Sequence, residues 1–517
     1  MPQKRYYITT PIYYVNDAPH IGHAYTSLAC DVLARFKRLD GYDVMFLSGT
    51  DEHGQKVAKS AAAAGIEPQA FTDKVSQNFR ELLKTLNCTN DDFIRTTEER
   101  HKKACQALWD ELLKRGEIYL GSYAGWYAVR DEAYYGEDEL TTNPQGKKIA
   151  PSGAECEWVE EPSYFFKLSA WGDRLLKFYD EHPDFILPTS RRNEVISFVK
   201  SGMRDLSISR TALSWGVPVP GEPKHVMYVW LDALTNYMTA TGYPNTDSPG
   251  YKKFWPSDLH MVGKDILRFH AVYWPAFLMA AGLPVPHRVF AHGWWTNEGQ
   301  KISKSLGNVI DPYELIKTYG LDQMRYFLMR EVPFGNDGDF SRAAMIRRIN
   351  SELANGIGNL AQRSLSMIAK NCSAQVPKHG VLTDADNALL TKAQALLSQV
   401  RADLDVQAFH KALDQLWAVI GEADRYVDEQ APWALKKTDE ARMETVLYVL
   451  AETIRYLAIM LQPFMPTASN ALLDQLAVPH DQRNFANLTK DFALKPGTPL
   501  PAPAGVFPRY VEAEPAA

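Results

Sequence analysis

The hydrophobic pattern near the amino end changes period twice within about forty residues. Tyr6-Tyr7-Ile8-Thr9-Thr10 reads as a strand. A loop holding Pro11, Asn16 and Pro19 follows. Apolar positions then recur at Ile21, Tyr25, Leu28, Val32, Leu33, Phe36 and Leu39, the spacing of one helical face, and Gly41 stops it. Asp43-Val44-Met45-Phe46-Leu47 reads as a second strand, ending at Ser48-Gly49-Thr50. Strand, helix and strand in that order predict a parallel pair with a right-handed crossover. In open parallel sheets ligands collect past the carboxyl ends of the strands. The loops Pro11–His23 and Gly49–Gly54 fall at such ends.

From Ile118 to Pro223 the pattern changes. Aromatic and turn residues rise, and helical spacing fades until Trp171–Asp180, which predicts an insertion of mostly short strands and loops. The strand and helix alternation resumes near Val226. Leu259–Val262 leads into Gly263-Lys264-Asp265, and Arg288–Ala291 leads into His292-Gly293. Past Phe340 the spacing is helical almost throughout, over Arg342–Lys370, Asp384–Leu404, Ala408–Glu429, Glu440–Leu461 and Thr467–Leu476. Pro377, Gly380, Pro432 and Pro463 fall between these helices, as in an antiparallel bundle. Lys495–Ala517, rich in Pro and Ala, predicts an extended tail. The expected division is 1–117 and 224–340 for the two halves of an α/β domain, 118–223 for the insertion, 341–480 for the bundle and 481–517 for the tail.

Composition adds limits. A chain of 517 residues allows two to four domains, and 45% hydrophobic residues suffice for packed cores without staples. The net charge of −6 argues against a nucleic-acid partner only if charge were spread evenly, and binding depends on where basic residues cluster. Cys30, Cys88, Cys105, Cys156 and Cys372 form no C-x-x-C pair, which points to reduced thiols and a cytoplasmic location. No signal peptide and no bilayer-length apolar run is present, so no membrane is expected as a partner.

Two elements carry candidate chemistry. Pro19-His20-Ile21-Gly22-His23 lies where the first helix begins. A helix start offers unpaired N–H groups and partial positive charge, which suits a phosphate. Gly22 permits close approach, and imidazoles three residues apart share a face. Alternatively, the two histidines simply cap the helix. Lys301-Ile302-Ser303-Lys304-Ser305, between Gly299 and Gly307, makes a strongly cationic loop. Such a loop can fold over a polyphosphate and stabilise departing pyrophosphate, or it can be a solvated surface turn.

The two together, in this order and at strand ends, resemble the HIGH and KMSKS signatures of class I aminoacyl-tRNA synthetases, with Ile302 at the Met position of the second. Four further segments, Thr9–Asn16, Gly49–Gly54, Tyr228–Ala233 and Gly263–Ile266, narrow the resemblance to methionyl-tRNA synthetases over nearly the whole chain. It implies a Rossmann-type parallel-sheet catalytic domain with an inserted connective domain, followed by an α-helical anticodon-binding bundle. It also implies ATP-dependent activation of L-methionine and its transfer to tRNA(Met), the initiator included. Tyr14, Trp230, Tyr237 and His270 then match an aromatic pocket that suits a polarizable thioether, bordered by Ile12, with Asp51 holding the α-ammonium group. Gly263 and Asp265 match adenosine-side contacts, and His292 lies close to that loop. His20, Gly22, His23, Lys301, Ser303 and Lys304 match the ATP-binding set, with His20, His23, Lys301 and Lys304 acting on the triphosphate by charge and position. Mg²⁺ would accompany ATP. Asn359, Arg363 and Trp433 match the anticodon-reading positions, where RNA bases are read by hydrogen bonds and stacking.

Two expected features differ from many relatives. The stretch matching a zinc knuckle, Trp126–Asp131 and Asn143–Gly146, holds no cysteine, so no structural zinc is expected and no metal ligand is assigned. No domain-sized segment follows the bundle, so a monomer is expected. The competing readings are another class I ligase and a synthetase-like RNA-binding protein without catalysis. The first lacks the thiolates that a cysteine enzyme would want, or the large editing insertion of the bigger aliphatic enzymes. The second is disfavoured by the intact histidines and lysines.

Overall fold

The computed structural model describes residues 4–15, 18–302 and 307–512. The chain divides into two compact units, one of Arg5–Pro19 and Val44–His292, the other of Met1–Lys4, His20–Asp43 and Gly293–Ala517.

The first unit is built on a seven-stranded sheet. Its order is Ile186–Leu187, Val289–His292, Leu259–Gly263, Arg5–Thr9, Asp43–Asp51 and Tyr13–Tyr14, with Asp92–Arg95 also paired to Asp43–Asp51. The pairs of Leu259–Gly263 with Arg5–Thr9 and Val289–His292 run parallel, as do those of Asp43–Asp51 with Tyr13–Tyr14 and Asp92–Arg95. The strand expected to end at Ser48-Gly49-Thr50 runs on to Asp51. Parallel partners extend it: Tyr13 and Tyr14 lie opposite Thr50 and Asp51, while Phe93 and Ile94 lie opposite Ser48 and Gly49. Gly49 makes this approach possible, because a Cβ there would come 2.1 Å from the Ile94 carbonyl oxygen.

The segment read as short strands and loops departs from that expectation. Ile118–Ala128 and Glu155–Phe166 form one long antiparallel ribbon, paired from Ile118–Phe166 to Tyr127–Glu157. Aromatic cross-strand pairs hold it: the rings of Trp126 and Trp158 lie 5.4 Å apart edge to face, and those of Tyr119 and Phe165 stack at 5.6 Å. At its far end a small cluster of Ala128, Ala150, Ala154 and Cys156 makes a local core. Helices Gly172–Glu181 and Thr189–Lys200 follow. Between them Ile186–Leu187 pairs with Val289–His292, so the chain rejoins the parallel sheet before residue 223.

The second unit holds the helix Ile21–Leu39, a small sheet of Trp295–Asn297, Gln300–Lys301 and Gly338–Phe340, and the helical bundle. The helix Glu440–Leu461 is buried almost all round from Thr445 onward, as befits the centre of a bundle. Ion pairs of Lys37 with Asp405 at 2.8 Å and of Arg401 with Asp40 bind the end of the Ile21–Leu39 helix to the bundle. The expected helix Arg342–Lys370 is interrupted. Arg348–Gly358 winds as a π-helix with Gly356 outside helical geometry, and Asn359–Asn371 continues as an α-helix. Residues with a Cβ resist such a distortion more than glycine does. Residues 495–512 of the tail are extended, but they are fastened to the bundle. Val376 donates its N–H to the Thr498 carbonyl at 2.9 Å, Gln475 and Ala504 exchange hydrogen bonds, and Asn350 brackets Tyr510. Among the described residues no helix is long and apolar enough to cross a membrane.

Candidate functional site

In the first unit three consecutive polar residues, Asp51, Glu52 and His53, are buried, and their partners separate their roles. Glu52 accepts from Arg95 Nε at 2.7 Å and from the Thr50 hydroxyl at 2.7 Å. His53 Nδ1 lies 2.6 Å from Asp232 Oδ2. Asp51 differs: its Oδ1 is buried with no hydrogen-bond partner among the described residues. Burial first, then the carboxylates of Asp232 and Glu132, hold its pKa well above the usual carboxylate range, against a hydrogen bond from the His53 backbone. A buried acceptor without a donor is costly, and a ligand ammonium group would satisfy it.

Tyr14 lies opposite Asp51 in the sheet, and Ile12 meets Gly49 beside it. The Tyr14 hydroxyl donates to Glu132 at 2.9 Å. Trp230 stacks on Phe269 with ring centroids 3.8 Å apart and stands 6.2 Å edge-on from His270. The indole Nε1 of Trp230, like Asp51 Oδ1, has no hydrogen-bond partner among the described residues. His270 sits in a π-helical turn, Phe269–Tyr273. Its Nδ1 faces the Ile266 carbonyl at 2.9 Å, so Nδ1 carries the proton, and Nε2 accepts from the Tyr237 hydroxyl at 2.7 Å. Burial lowers the His270 pKa to about 4, opposed by the Ile266 hydrogen bond. These rings are therefore neutral at pH 7, an environment that favours a thioether over a charged side chain.

Gly263, Asp265 and His292 come together at the ends of two parallel strands. Gly263 and His292 are register partners, and a Cβ on Gly263 would lie 2.5 Å from Asp265 Oδ1 and 3.9 Å from His292 Cε1. The turn Lys264–Ile266 that carries Asp265 also supplies the carbonyl that orients His270.

In the second unit His20 and His23 form a reciprocal cap on the helix Ile21–Leu39. His20 Nδ1 accepts from the Gly22 N–H, and His23 Nδ1 accepts from the His20 N–H, both at 3.1 Å. The capping reading is thus correct, and it leaves the phosphate reading standing: with Nδ1 accepting, each neutral ring carries its proton on Nε2. Burial, then the neighbouring His20, holds the His23 pKa well below its ordinary value. The same helix start donates from Ile21 N–H to the Ile310 carbonyl at 3.2 Å, which ties it to the segment just past the lysine loop. Lys301 ends the short strand Gln300–Lys301, and its carbonyl accepts from Asn308 at 3.1 Å. Asn16, Ser303, Lys304 and Ser305 lie outside the described residues.

Asn359 and Arg363 share the helix Asn359–Asn371. The Arg363 guanidinium lies 5.0 Å from the centre of the Trp433 ring and pairs with Asp428 at 2.8 Å. Trp433, expected at a loop, instead occupies the first turn of the helix Pro432–Thr438, because Pro432 favours a helix start, and it is 45% exposed.

The model of class I tRNA synthetases (M) matches residues 6–365, and that of the anticodon-binding domain of methionyl tRNA ligase matches residues 376–516. The chain belongs to the methionyl-tRNA synthetase family. It is 59% identical to the methionine–tRNA ligase of Brucella suis over 514 residues, 99% of each chain. It is 58% identical to that of Rickettsia bellii over 512 residues, 98% of this chain and 99% of the other. A crystal structure of Mycobacterium tuberculosis methionyl-tRNA synthetase bound by methionyl-adenylate matches with a TM-score of 0.95 at 53% identity, covering 98% of this chain and 100% of that one. The apo form of the same enzyme matches at 0.90 and 50% identity over 99% of both.

Inside this member of the methionyl-tRNA synthetase family, several buried groups had no role legible in the sequence. Asp232 accepts from His53 and, at 2.7 Å, from His101. Among the described residues, His101, Cys105 and Asp232 form the one cluster with metal-capable atoms close together. Those atoms already bond one another, with Cys105 Sγ 3.2 Å from His101 Nε2. The same holds for Glu132 and Arg210. Arg210 lies over the rings of Tyr134 and Tyr228, and its Nε and Nη2 are buried without partners among the described residues. Only the four-residue spacing of His101 and Cys105 on one helix gave a local sign.

Proposed function

We propose that this chain activates L-methionine with ATP and transfers it to the 3′ end of tRNA(Met), the initiator included. The observation that carries the reading is the buried Asp51 carboxylate oxygen without a partner among the described residues, with Tyr14 opposite it in the sheet, together with the ring cluster of Trp230, Tyr237 and neutral His270. That combination fits one primary ammonium group with an uncharged, polarizable side chain. The methionine carboxylate attacks the α-phosphorus of ATP, and pyrophosphate leaves. The terminal ribose hydroxyl of the tRNA then attacks the adenylate carbonyl, loses its proton, and AMP leaves.

Neither step needs a protein acid or base; positioning and charge supply the acceleration. His20 and His23 offer Nε2–H to phosphate oxygens, Gly22 lets the nucleotide come close, and Lys301, Ser303 and Lys304 neutralise the leaving pyrophosphate. Gly263, Asp265 and His292 hold the adenosine, Asp265 accepting from ribose hydroxyls. Ile12 borders the methionine. Asn359, Arg363 and Trp433 read the anticodon. ATP enters as its Mg²⁺ complex, the ion held by phosphates and water. The protein works as a cytoplasmic monomer, and the insertion keeps its shape through the apolar cluster around Ala128 and Cys156, without zinc.

Amino-acid-dependent ATP–pyrophosphate exchange tests the proposal. Exchange with methionine and not with leucine or cysteine is expected. Exchange with none would leave a catalytically silent RNA-binding protein. One bound zinc per chain by metal analysis would overturn the zinc-free reading, and a stable dimer by light scattering at micromolar concentration would overturn the monomer.

A further inference from the structure

Glu132 ends the turn that joins Ile118–Ala128 to Ala133–Tyr135, with φ +49°, a left-handed backbone unusual for a residue with a Cβ. Its side chain is not at the surface, as a turn residue's would be; the residue is 5% exposed. Oε1 accepts from the Tyr14 hydroxyl at 2.9 Å and from the Lys56 backbone N–H at 3.0 Å. Oε2 accepts from the Tyr127 hydroxyl, and the Glu132 carbonyl accepts from the Tyr228 hydroxyl at 3.0 Å. Every one of these donors lies in the first unit.

The Lys56 contact has a specific use. The helix Gln55–Ala63 starts from Gly54, which has no side chain to cap it. Glu132 supplies the missing acceptor from 76 residues away. Gly54 leaves the space: a Cβ there would fall 2.7 Å from the Tyr14 hydroxyl oxygen and 2.8 Å from Glu132 Oε1. One carboxylate thus fastens the ring that walls the methionine pocket and the chain that leaves Asp51. A strained backbone that aims a buried charge is tolerated where surrounding structure enforces it, and such sites cluster where function is built. The charge also falls near Asp51, whose proton affinity Glu132 helps to raise, so the local field favours a cation.

We propose that Glu132, at the tip of a turn in the inserted segment, is a positioning residue for methionine: it holds Tyr14 and the start of the helix after Asp51 in their substrate-ready places. This rests on the methionine reading of Tyr14 and Asp51. The test is steady-state pyrophosphate exchange by Glu132→Ala, Glu132→Gln, Tyr14→Phe, Tyr14→Ala and the Glu132→Ala/Tyr14→Phe pair. Glu132→Ala is expected to raise KM for methionine about tenfold or more, with kcat and KM for ATP within about threefold. Glu132→Gln, which can still accept from Tyr14 and Lys56, is expected to recover most of that loss. The pair is expected to lose less than the product of the two singles, because both act on one hydrogen bond. An unchanged methionine KM in Glu132→Ala, with Tyr14→Ala impaired, overturns the positioning role. An equal rise for ATP and methionine also overturns it. If Tyr14→Ala itself leaves methionine KM unchanged, the methionine reading fails first. Should Glu132→Ala not fold, Glu132→Gln and the Tyr14→Phe comparison still decide: a Gln variant as impaired for ATP as for methionine sinks the role.

Discussion

Asp31 and Arg325 meet at 2.7 Å with neither side chain exposed to solvent. Asp31 lies on the helix that His20 and His23 cap, and it also accepts from Arg35 at 2.7 Å. Arg325 reaches further, donating to the Phe464 carbonyl at 2.9 Å and the Pro463 carbonyl at 2.8 Å. One guanidinium therefore joins the histidine-bearing helix, the helix Leu321–Arg330 and the last turn of the bundle. Removing it takes one of two cations from the buried Asp31 carboxylate, which keeps Arg35, and takes the donor from two carbonyls. Breaking such a pair costs about 3–5 kcal/mol. Arg325→Ala is expected to lose that much in denaturant unfolding followed by circular dichroism. Arg325→Lys should recover little, since an ammonium group cannot reproduce the planar fork. A loss below about 1 kcal/mol in the Ala variant would mean the pair is not holding these segments.

Asp51 gives a prediction of opposite sign. Its pKa in the folded chain is raised, so the folded state holds this proton more tightly than the unfolded one. The stability it contributes is complete below the ordinary value of 3.8 and is lost as pH rises through the raised value. At neutral pH the ionised group is a cost. Asp51→Asn is expected to melt at a higher temperature than the parent at pH 7 without ligand, with the difference shrinking toward pH 4. The same change removes the negative charge proposed to hold the ammonium group, so methionine should no longer raise the melting temperature. Thermal melts over a pH series, with and without methionine, check both halves. A variant that melts lower than the parent at pH 7 would show that Asp51 is a structural carboxylate.

Much of this arrangement was legible because it is local. The switch from strand to helix at Ile21 follows from apolar spacing, and the bundle from repeated stripes closed by Pro and Gly. What stayed hidden depends on distant partners. Ile186–Leu187 is too short to show a period, and it becomes a strand only against Val289–Phe290. Thr189–Lys200 buries just Val195 and Val199, too narrow a stripe to read. Asp232 takes its meaning from His53 and His101, 179 and 131 residues away. Glu132 looks like a solvated turn until the fold brings Tyr14 to it. For His20 and His23 the two alternatives were not exclusive, since one ring nitrogen caps while the other carries the proton.

Lys304 lies outside the described residues, and its expectation rests on charge. Pyrophosphate gains negative charge as it leaves, so a cation placed there matters more in the transition state than in the ground state. Lys304→Ala is expected to slow adenylate formation by about 100-fold, as the loss of one preorganised donor does. Methionine affinity should stay within about threefold. Single-turnover adenylate formation and equilibrium methionine binding separate the two. An equal loss in both would assign the loop to holding substrate before reaction.

Trp433 lets anticodon reading be tested apart from catalysis. The ring is 45% exposed at the start of its helix, so truncating it removes little packing, and stability should change by only about 0.5 kcal/mol. Arg363 lies over the ring at 5.0 Å and pairs with Asp428, an arrangement that keeps a cation and a flat surface beside each other. An unstacked base can use both. Stacking on an aromatic ring is worth about 1–3 kcal/mol per base. Trp433→Ala is therefore expected to lower tRNA charging roughly 5- to 150-fold, the kinetic equivalent of that range, while pyrophosphate exchange stays within about twofold. Replacing Asp428 with Ala should weaken charging less, because the ring still holds the guanidinium. Loss of exchange and charging together, with a lowered melting temperature, would mark Trp433 as part of the bundle's packing.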